Sequence, residues 1–597
     1  METPTLSVDQ ISDVIQKWRE TPEEGWKPED VKLFLDLGYS CIAQGDAAQL
    51  LTFLQDVRNK EIVQSMGCGL LAPLANEMTK KEKTLVQCEM AMTHLTMTCR
   101  PNELLYGLLK LMDDTDASVI SNTIIALAPH LHTVLLRMGE GRAASLDSAL
   151  SSIQKQLSRL PVPYTTQLEE SDQYGLCRSC SALTDFVKPF VEEVKGKYGK
   201  KSSQCLEDQE LNDVLLKFCM RCLREPIFQA QLDPSRKSSL WFFAVEIMAI
   251  LASLQKPLAD LVLYVPKKRS IVVEETQETD ECRASFAYLL FVQGIGIDYF
   301  PAVFSPRFIL QSNMEYINLL LSRKDESYVL KGLELYARSL DSVEDGSLTV
   351  DLLELKTFYS VQQNLRHILI ECPSQKLRER SLLVLQYFIN KLNSKAKHRF
   401  FRCMLKTSQH SGIEGYIVKN IKNQVEFSMK PGNENEWFFG VEFIYLLEQA
   451  LSLPQGAETY LLQNMDRIME GLNLLRYLLI RDKEWKSKSA AVWEELCRIK
   501  DDHLKMMRLG ITMSRTYYIN EAKTLREDYK LKAREARAAA KSTQPIKGLN
   551  MKHDKMADMS PEVQYQVIQN ALVSFDLMES LIFRIEEIKD EKAKSVN

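Results

Sequence analysis

The sequence predicts an all-α protein, a HEAT- or armadillo-like helical repeat solenoid in two halves. Three observations carry that prediction. Helix breakers are scarce, with 23 Gly and 20 Pro in 597 residues, against usual shares of about 7% and 5%. Apolar residues recur at spacings of three and four along nearly the whole chain, the period of an amphipathic helix. Short polar or Gly-containing breaks separate these stretches, so sequential helices pack antiparallel, and helix pairs stacked for hundreds of residues make an α-solenoid. No strict tetratricopeptide or ankyrin signature recurs, which leaves degenerate HEAT or armadillo pairs as the nearest repeat type. A large irregular helical bundle is the alternative.

Taken in order, Arg100-Pro101-Asn102 opens a helix, since Pro suits the first helical position. Leu104, Leu105, Leu108, Leu109 and Leu111 crowd behind it. Asp233-Pro234 opens Leu240–Leu254 in the same way. That stretch is the most apolar of the chain and is interrupted by Glu246. It falls short of the roughly 20 residues of a membrane span and reads as a buried core helix. Near the C-terminus Ser560 can N-cap, Pro561 starts a helix and Glu562 complements its positive end. Val563, Val567, Ala571, Phe575, Met578, Ile582 and Ile585 then form one apolar face. Breaks fall at Gln44-Gly45-Asp46, Met66-Gly67-Cys68-Gly69, Lys430-Pro431-Gly432-Asn433 and Leu453-Pro454-Gln455-Gly456.

Three segments are irregular. Residues 160–171 begin Leu-Pro-Val-Pro-Tyr, which interrupts a helix twice. Residues 256–281 read as a linker or small hairpin and divide an N-terminal helical region, 1–255, from a C-terminal one, 282–597. Residues 524–558 begin as a charged, Ala-rich helix extension and end as a flexible link.

Composition narrows the class of function. A net charge of −5 and a pI near 6.1 give no basic excess of the kind nucleic-acid binders show. Met1-Glu2-Thr3-Pro4-Thr5 lacks a secretory signal, and the 13 Cys are an odd number without a disulfide framework. Reduced thiols, a cytoplasmic setting and no membrane insertion are the expectation, with the nucleus open as a second compartment.

Each candidate for chemistry meets a plainer reading. Cys177-x-x-Cys180 and Cys219-x-x-Cys222 have zinc-site spacing, but both lie in helical patterns where i and i+3 are simply core neighbours. Gly199-Lys200-Lys201-Ser202 lacks the leading Gly of a phosphate loop, with Val194 in its place. The Asp341–Leu352 segment lacks the Glu a calcium loop needs at its last position. Gly294-Ile295-Gly296 has no third Gly and reads as a helix break. His130 and His132 cannot share a helix face. His410-Ser411 has no evident acidic partner. Pro266-Lys267-Lys268-Arg269 is thin for an import signal, and Lys530, Lys532, Arg534, Arg537 and Lys541 alternate with acids as on an exposed face. No cofactor or catalytic site is expected, so the protein is read as a binding protein rather than an enzyme.

Several stretches are more specific than helix periodicity requires. They are Leu160-Pro161-Val162-Pro163-Tyr164, Tyr174-Gly175-Leu176-Cys177, Lys188 to Val194, Phe291 to Ile295, Asn420 to Gln424, Gly456 to Thr459, Leu461 to Asn464, Asp466 to Met469 and Asn473 to Leu478. On these the chain resembles the glomulin family of FKBP-associated proteins over most of its length, least at the N-terminus and in 524–558. The resemblance implies a HEAT-like fold whose C-terminal half binds the RING-box subunit of cullin–RING ubiquitin ligases. Binding there masks the RING face that recruits the ubiquitin-conjugating enzyme, and so inhibits transfer. It also implies links to an FKBP immunophilin and a receptor tyrosine kinase, and hence a signalling scaffold as the alternative function. The residues it nominates for partner contact are Lys422, Trp437, Asp466, Arg467 and Arg476. Against that, Arg476 and Asp466 would serve equally as an interhelical ion pair, and Trp437 as core.

Overall fold

A computed structural model describes residues 8–80, 85–139, 141–162, 166–197, 206–232, 238–254, 257–263, 273–539 and 561–594. Among them the only extended pairing is an isolated bridge between Leu348 and Leu392, and all other regular structure is helical. No described helix is long and apolar enough to cross a membrane. The chain divides into two units. The first holds the described residues of Met1–Ser342 with Ser360–Leu365 and Ser374–Val384. The second holds those of Val343–Tyr359, Arg366–Pro373 and Leu385–Asn597.

In the first unit, the described residues of 8–98 form α-helices of 7 to 16 residues joined in places by short 3-10 turns. The longer helices that follow are α1 (Pro101–Asp113), α2 (Ile120–Arg137), α3 (Arg142–Leu157), α4 (Leu176–Lys197), α5 (Leu206–Cys222), α6 (Ser239–Ser253), α7 (Val273–Phe291), α8 (Pro306–Leu321) and α9 (Glu326–Asp341). Each packs on a sequence neighbour, and all but α8 also on a helix two places along. α2 meets α3 and α4, α3 meets α5, α4 meets α6, and α5 meets α7. That pattern is two stacked layers built from helix pairs, as in a helical solenoid.

The local chemistry explains where elements start and stop. α1 has Pro101 in its first turn and buries Leu104, Leu105, Leu108 and Met112, while Leu109 and Leu111 lie half-buried on its flank. α6 is a core helix as expected, with Leu240, Ala244, Ile247, Met248 and Leu251 sealed inside. Its N-cap is Ser238, whose Oγ accepts from the Trp241 amide at 3.3 Å. The expected opening pair Asp233-Pro234 lies outside the described residues. After α7 the chain turns at Gly294 (φ +70°) and Gly296 (φ +79°), left-handed positions that end a helix cheaply only for Gly.

In segment 256–281, Leu258–Val262 and the start of α7 are helical, and 264–272, with the basic Pro266–Arg269 run, lie outside the described residues. The described residues of the segment fall within the first unit, where α7 packs back onto α5 and forward onto α8.

The second unit contains α10 (Ser394–Thr407), α11 (Ser411–Ser428), the one-turn α12 (Glu436–Phe439), α13 (Val441–Leu451), α14 (Met465–Ile480), α15 (Ala490–Ala539) and α16 (Pro561–Lys594). α10, α13 and α15 form one layer, and α11, α14 and α16 the other. α15 carries helix to Ala539, well into segment 524–558; the remainder of that segment, Ser560 and the side chain of Lys541 lie outside the described residues. So does Gly199–Ser202.

Candidate partner-binding surface

The α11–α14 pair is the frame on which four of the five nominated residues sit. An ideal Cβ on Gly415 would lie 2.9 Å from the carbonyl carbon and oxygen of Asp466. The missing side chain therefore lets the two backbones touch. Further along, the Tyr477 hydroxyl lies 3.8 Å from Met429 Sδ. The two contacts advance together along both chains, so α11 and α14 run parallel, as equivalent helices of successive repeats do.

Arg467 turns inward from this frame. Its guanidinium donates to Glu414 at 2.9 Å, to the Gln449 carbonyl at 2.6 Å and to Ser452 Oγ at 2.9 Å. The Arg467 and Glu414 side chains are only 8% and 6% exposed. Arg467 thereby ties α11 and α14 to the last turn of α13, whose free carbonyls attract a cation. Its donors are spent inside the protein, leaving it no face for a partner. His503 of α15 is buried beside it, and burial holds its imidazole down at about 4, with the Arg467 charge adding to the effect.

The other four nominated residues are accessible to different degrees. Asp466 is exposed in the first turn of α14, where a carboxylate suits the helix dipole. Lys422 is half-buried on α11, and among the described residues it forms no ion pair. Arg476 is half-buried on α14, and its Nε is buried without a hydrogen-bond partner among the described residues. The register of the parallel pair brings Lys422 and Arg476 within about two turns of each other. No ion pair joins Arg476 to Asp466 among the described residues.

Trp437 is half-buried on α12. Asn435 Oδ1 caps that turn by accepting from the Phe438 amide at 3.1 Å. Phe438 and Phe439 fill the core, while the Trp437 ring lies 5.3 Å from the His398 ring and below Lys395 Nζ at 5.7 Å.

The nominated set omits an apolar surface. Met506, Leu509, Met513 and Tyr517 are 40–58% exposed on α15. Their spacing of three, four and four puts them on one helix face, distinct from the face that buries Leu496, Met507, Ile511 and Tyr518. Two apolar faces on one long helix were the available signal in the sequence.

The remaining motifs resolve into structure. Cys180, Cys219 and Cys222 are buried in α4 and α5, and burial pushes Cys222 up to about 12 and Cys180 and Cys219 well upward. Among the described residues no three His, Cys, Asp or Glu side chains are grouped to hold a metal ion. His130 is sealed in α2, while His132 stacks edge-on against Phe190 at 5.5 Å.

A family model described as an uncharacterised protein family, YAP/Alf4/glomulin, matches residues 13–575. The chain is 39% identical to glomulin of Homo sapiens over 610 residues, covering 99% of both chains. It is 39% identical to glomulin of Mus musculus over 609 residues, again covering 99% of each. Among solved structures, the karyopherin Kap121p bound to the extreme C-terminus of the phosphatase Cdc14p matches at 11% identity. That alignment covers 86% of this chain and 56% of the karyopherin, with a TM-score of 0.22.

Proposed function

Because the chain belongs to the YAP/Alf4/glomulin family, we propose that it binds the RING-box subunit of cullin–RING ubiquitin ligases and masks the site of the ubiquitin-conjugating enzyme. The observation that carries this reading is the 39% identity to human glomulin across 99% of both chains. The recruiting face of a RING is a shallow apolar groove with polar edges. Blocking it requires overlap and comparable affinity, not chemistry.

The second unit offers matching parts. Met506, Leu509, Met513 and Tyr517 supply an apolar face, and Lys422, Arg476 and Asp466 supply polar contacts. Trp437 presents part of an indole, the side-chain type most enriched at binding hot spots. Arg467 acts behind this surface by fixing the helices that carry it. Immunophilin and receptor-kinase binding are further proposed partnerships of the same chain.

The test is ubiquitin transfer by a purified cullin–RING ligase with the full-length protein added. Inhibition that is relieved by excess conjugating enzyme is the expected result. Unchanged transfer at a stoichiometric excess removes the inhibitor reading. Pull-down of an immunophilin by the same preparation would then leave the scaffold reading standing.

A further inference from the structure

The outward face of α10 is charged in a way its surroundings do not explain. Between Leu385 and Ile413 the sequence holds six Lys or Arg and no Asp or Glu, in a chain whose net charge is −5. Lys395, Arg399, Arg402 and Lys406 are spaced four, three and four apart, so they share one helix face. Lys395, Arg399 and Lys406 are exposed and Arg402 is half-buried. Among the described residues none of the four forms an ion pair. Arg366 adds a fifth cation at the end of the row, donating to the Thr407 carbonyl at 2.9 Å.

Some surface arginines elsewhere in this unit are paired locally. Arg498 pairs with Glu495 and Asp502, and Arg515 with Asp576 and Glu579. Like charges at these spacings on one helix repel and destabilise it. Among the described residues no ion pair offsets that cost on the α10 row.

We propose that this face of α10 docks an acidic polypeptide segment. Eleven residues of helix span about 16 Å, which an extended chain crosses in about five residues. Three or four carboxylates along such a segment meet the row one for one, with bidentate pairing at the two arginines. Trp437, already under Lys395, closes one end with an aromatic ring. The positive face is a single row. The elements packed against α10 carry acids of their own, Asp351, Glu436, Glu442 and, on α11, Glu414 and Glu426, but among the described residues none pairs with the row. A single row fits one chain of carboxylates better than the paired phosphate strands of a duplex. This inference does not rest on RING masking: Trp437 serves both readings, but the cation row lies on α10 and the probe contains no RING.

The experiment is fluorescence anisotropy with full-length protein and a labelled peptide of about twelve alternating Glu and Ser residues, long enough to overhang the row. Binding at about 50 mM salt that weakens steeply by about 250 mM is expected. The combined variant Lys395→Glu/Arg399→Glu/Lys406→Glu should lose at least about tenfold in affinity. The variant Lys188→Glu/Lys195→Glu/Arg584→Glu changes net charge equally at locally paired sites and should lose less than about threefold. Should the first variant fail to fold, Lys395→Gln/Arg399→Gln/Lys406→Gln should show an intermediate loss. The proposal is overturned if the Gln–Ser peptide binds as well as the Glu–Ser peptide, or if both triple-Glu variants weaken binding equally. It is also overturned if the wild-type protein does not bind, or if an oligothymidine of equal length binds as tightly with the same dependence on α10.

Discussion

Replacing Arg467 with Leu tests whether the second unit depends on one buried cation. The wild-type guanidinium meets Glu414, the Gln449 carbonyl and Ser452 at 2.6–2.9 Å with almost no solvent contact. Removing one member of a buried ion pair typically costs about 3–5 kcal/mol, because the other charge is left uncompensated. The Gln449 carbonyl also loses its side-chain donor, worth about 1–3 kcal/mol if water cannot reach it. These costs overlap, so Arg467→Leu should destabilise the unit by about 4 kcal/mol. Glu414→Leu should cost less, since the guanidinium keeps its carbonyl and hydroxyl acceptors. The double variant should recover part of the loss, giving a coupling of at least about 2 kcal/mol. Hydrogen exchange over residues 441–480 is the suitable assay, because it reads local opening in a long repeat array where one global transition is not assured. Exchange protection unchanged to within about 0.5 kcal/mol in the single variant, or strictly additive single effects, would refute the reasoning.

Gly415→Ala should destabilise by about 1–3 kcal/mol despite the better helix propensity of Ala, because the new methyl meets the Asp466 backbone rather than a side chain that can turn away; a urea midpoint no lower than wild type would contradict it. Acid should weaken both units. His130 and His503 are held at about 4 in the folded state, below the ordinary 6.5, so between those values the unfolded chain binds more protons and stability falls with falling pH, by up to about 3 kcal/mol per group. Urea midpoints at pH 7 and 5 should differ less in His503→Leu than in wild type. Lys331→Met should destabilise the first unit by about 2–4 kcal/mol, since the ammonium donates to the Phe228 and Ala230 carbonyls and lies 4.8 Å over the Phe228 ring; exchange over residues 223–232 should rise. Met513→Glu and Tyr517→Glu should leave melting unchanged and weaken RING masking at least about tenfold; retained inhibition would move the contact off α15.

Much of the fold was legible because helices announce themselves by period. The C-terminal helix shows where that legibility ends. Ala571, Phe575, Met578, Ile582 and Ile585 are buried as expected, but Val563 is 45% exposed, and Ile568 is buried where Val567 lies half-buried. Steps of four overshoot a full turn by about 40° and steps of three fall short by about 60°. The alternating steps 568, 571, 575, 578, 582, 585 hold one face toward α14 and α15, whereas 563, 567, 571 drifts off it. The site was less legible for a different reason. Asp466 and Arg467 are neighbours in one motif, yet one faces solvent and the other is the most enclosed cation of its helix, an outcome set by Glu414 fifty-three positions away. No local pattern encodes such a partner. The α15 stripe was readable in principle, as a second apolar period on one long helix, but it lies outside the family-specific motifs.

The two-or-three-place reach of the helix contacts bears on how the chain is made. Nearly every docking surface within a stacked row is supplied by a helix translated shortly before or shortly after it, so contact order is low and a nascent chain can seat each pair before the next emerges. α16, packed on helices one and two places before it, is the last described helix of the second unit. Its partners α14 and α15 must wait for residues 561–594, and until those arrive the apolar groove that takes Phe575 and Met578 stands open on the ribosome. A message truncated before codon 561 would release a protein with that groove permanently unfilled, and chaperones and proteases should recognise it before any partner does.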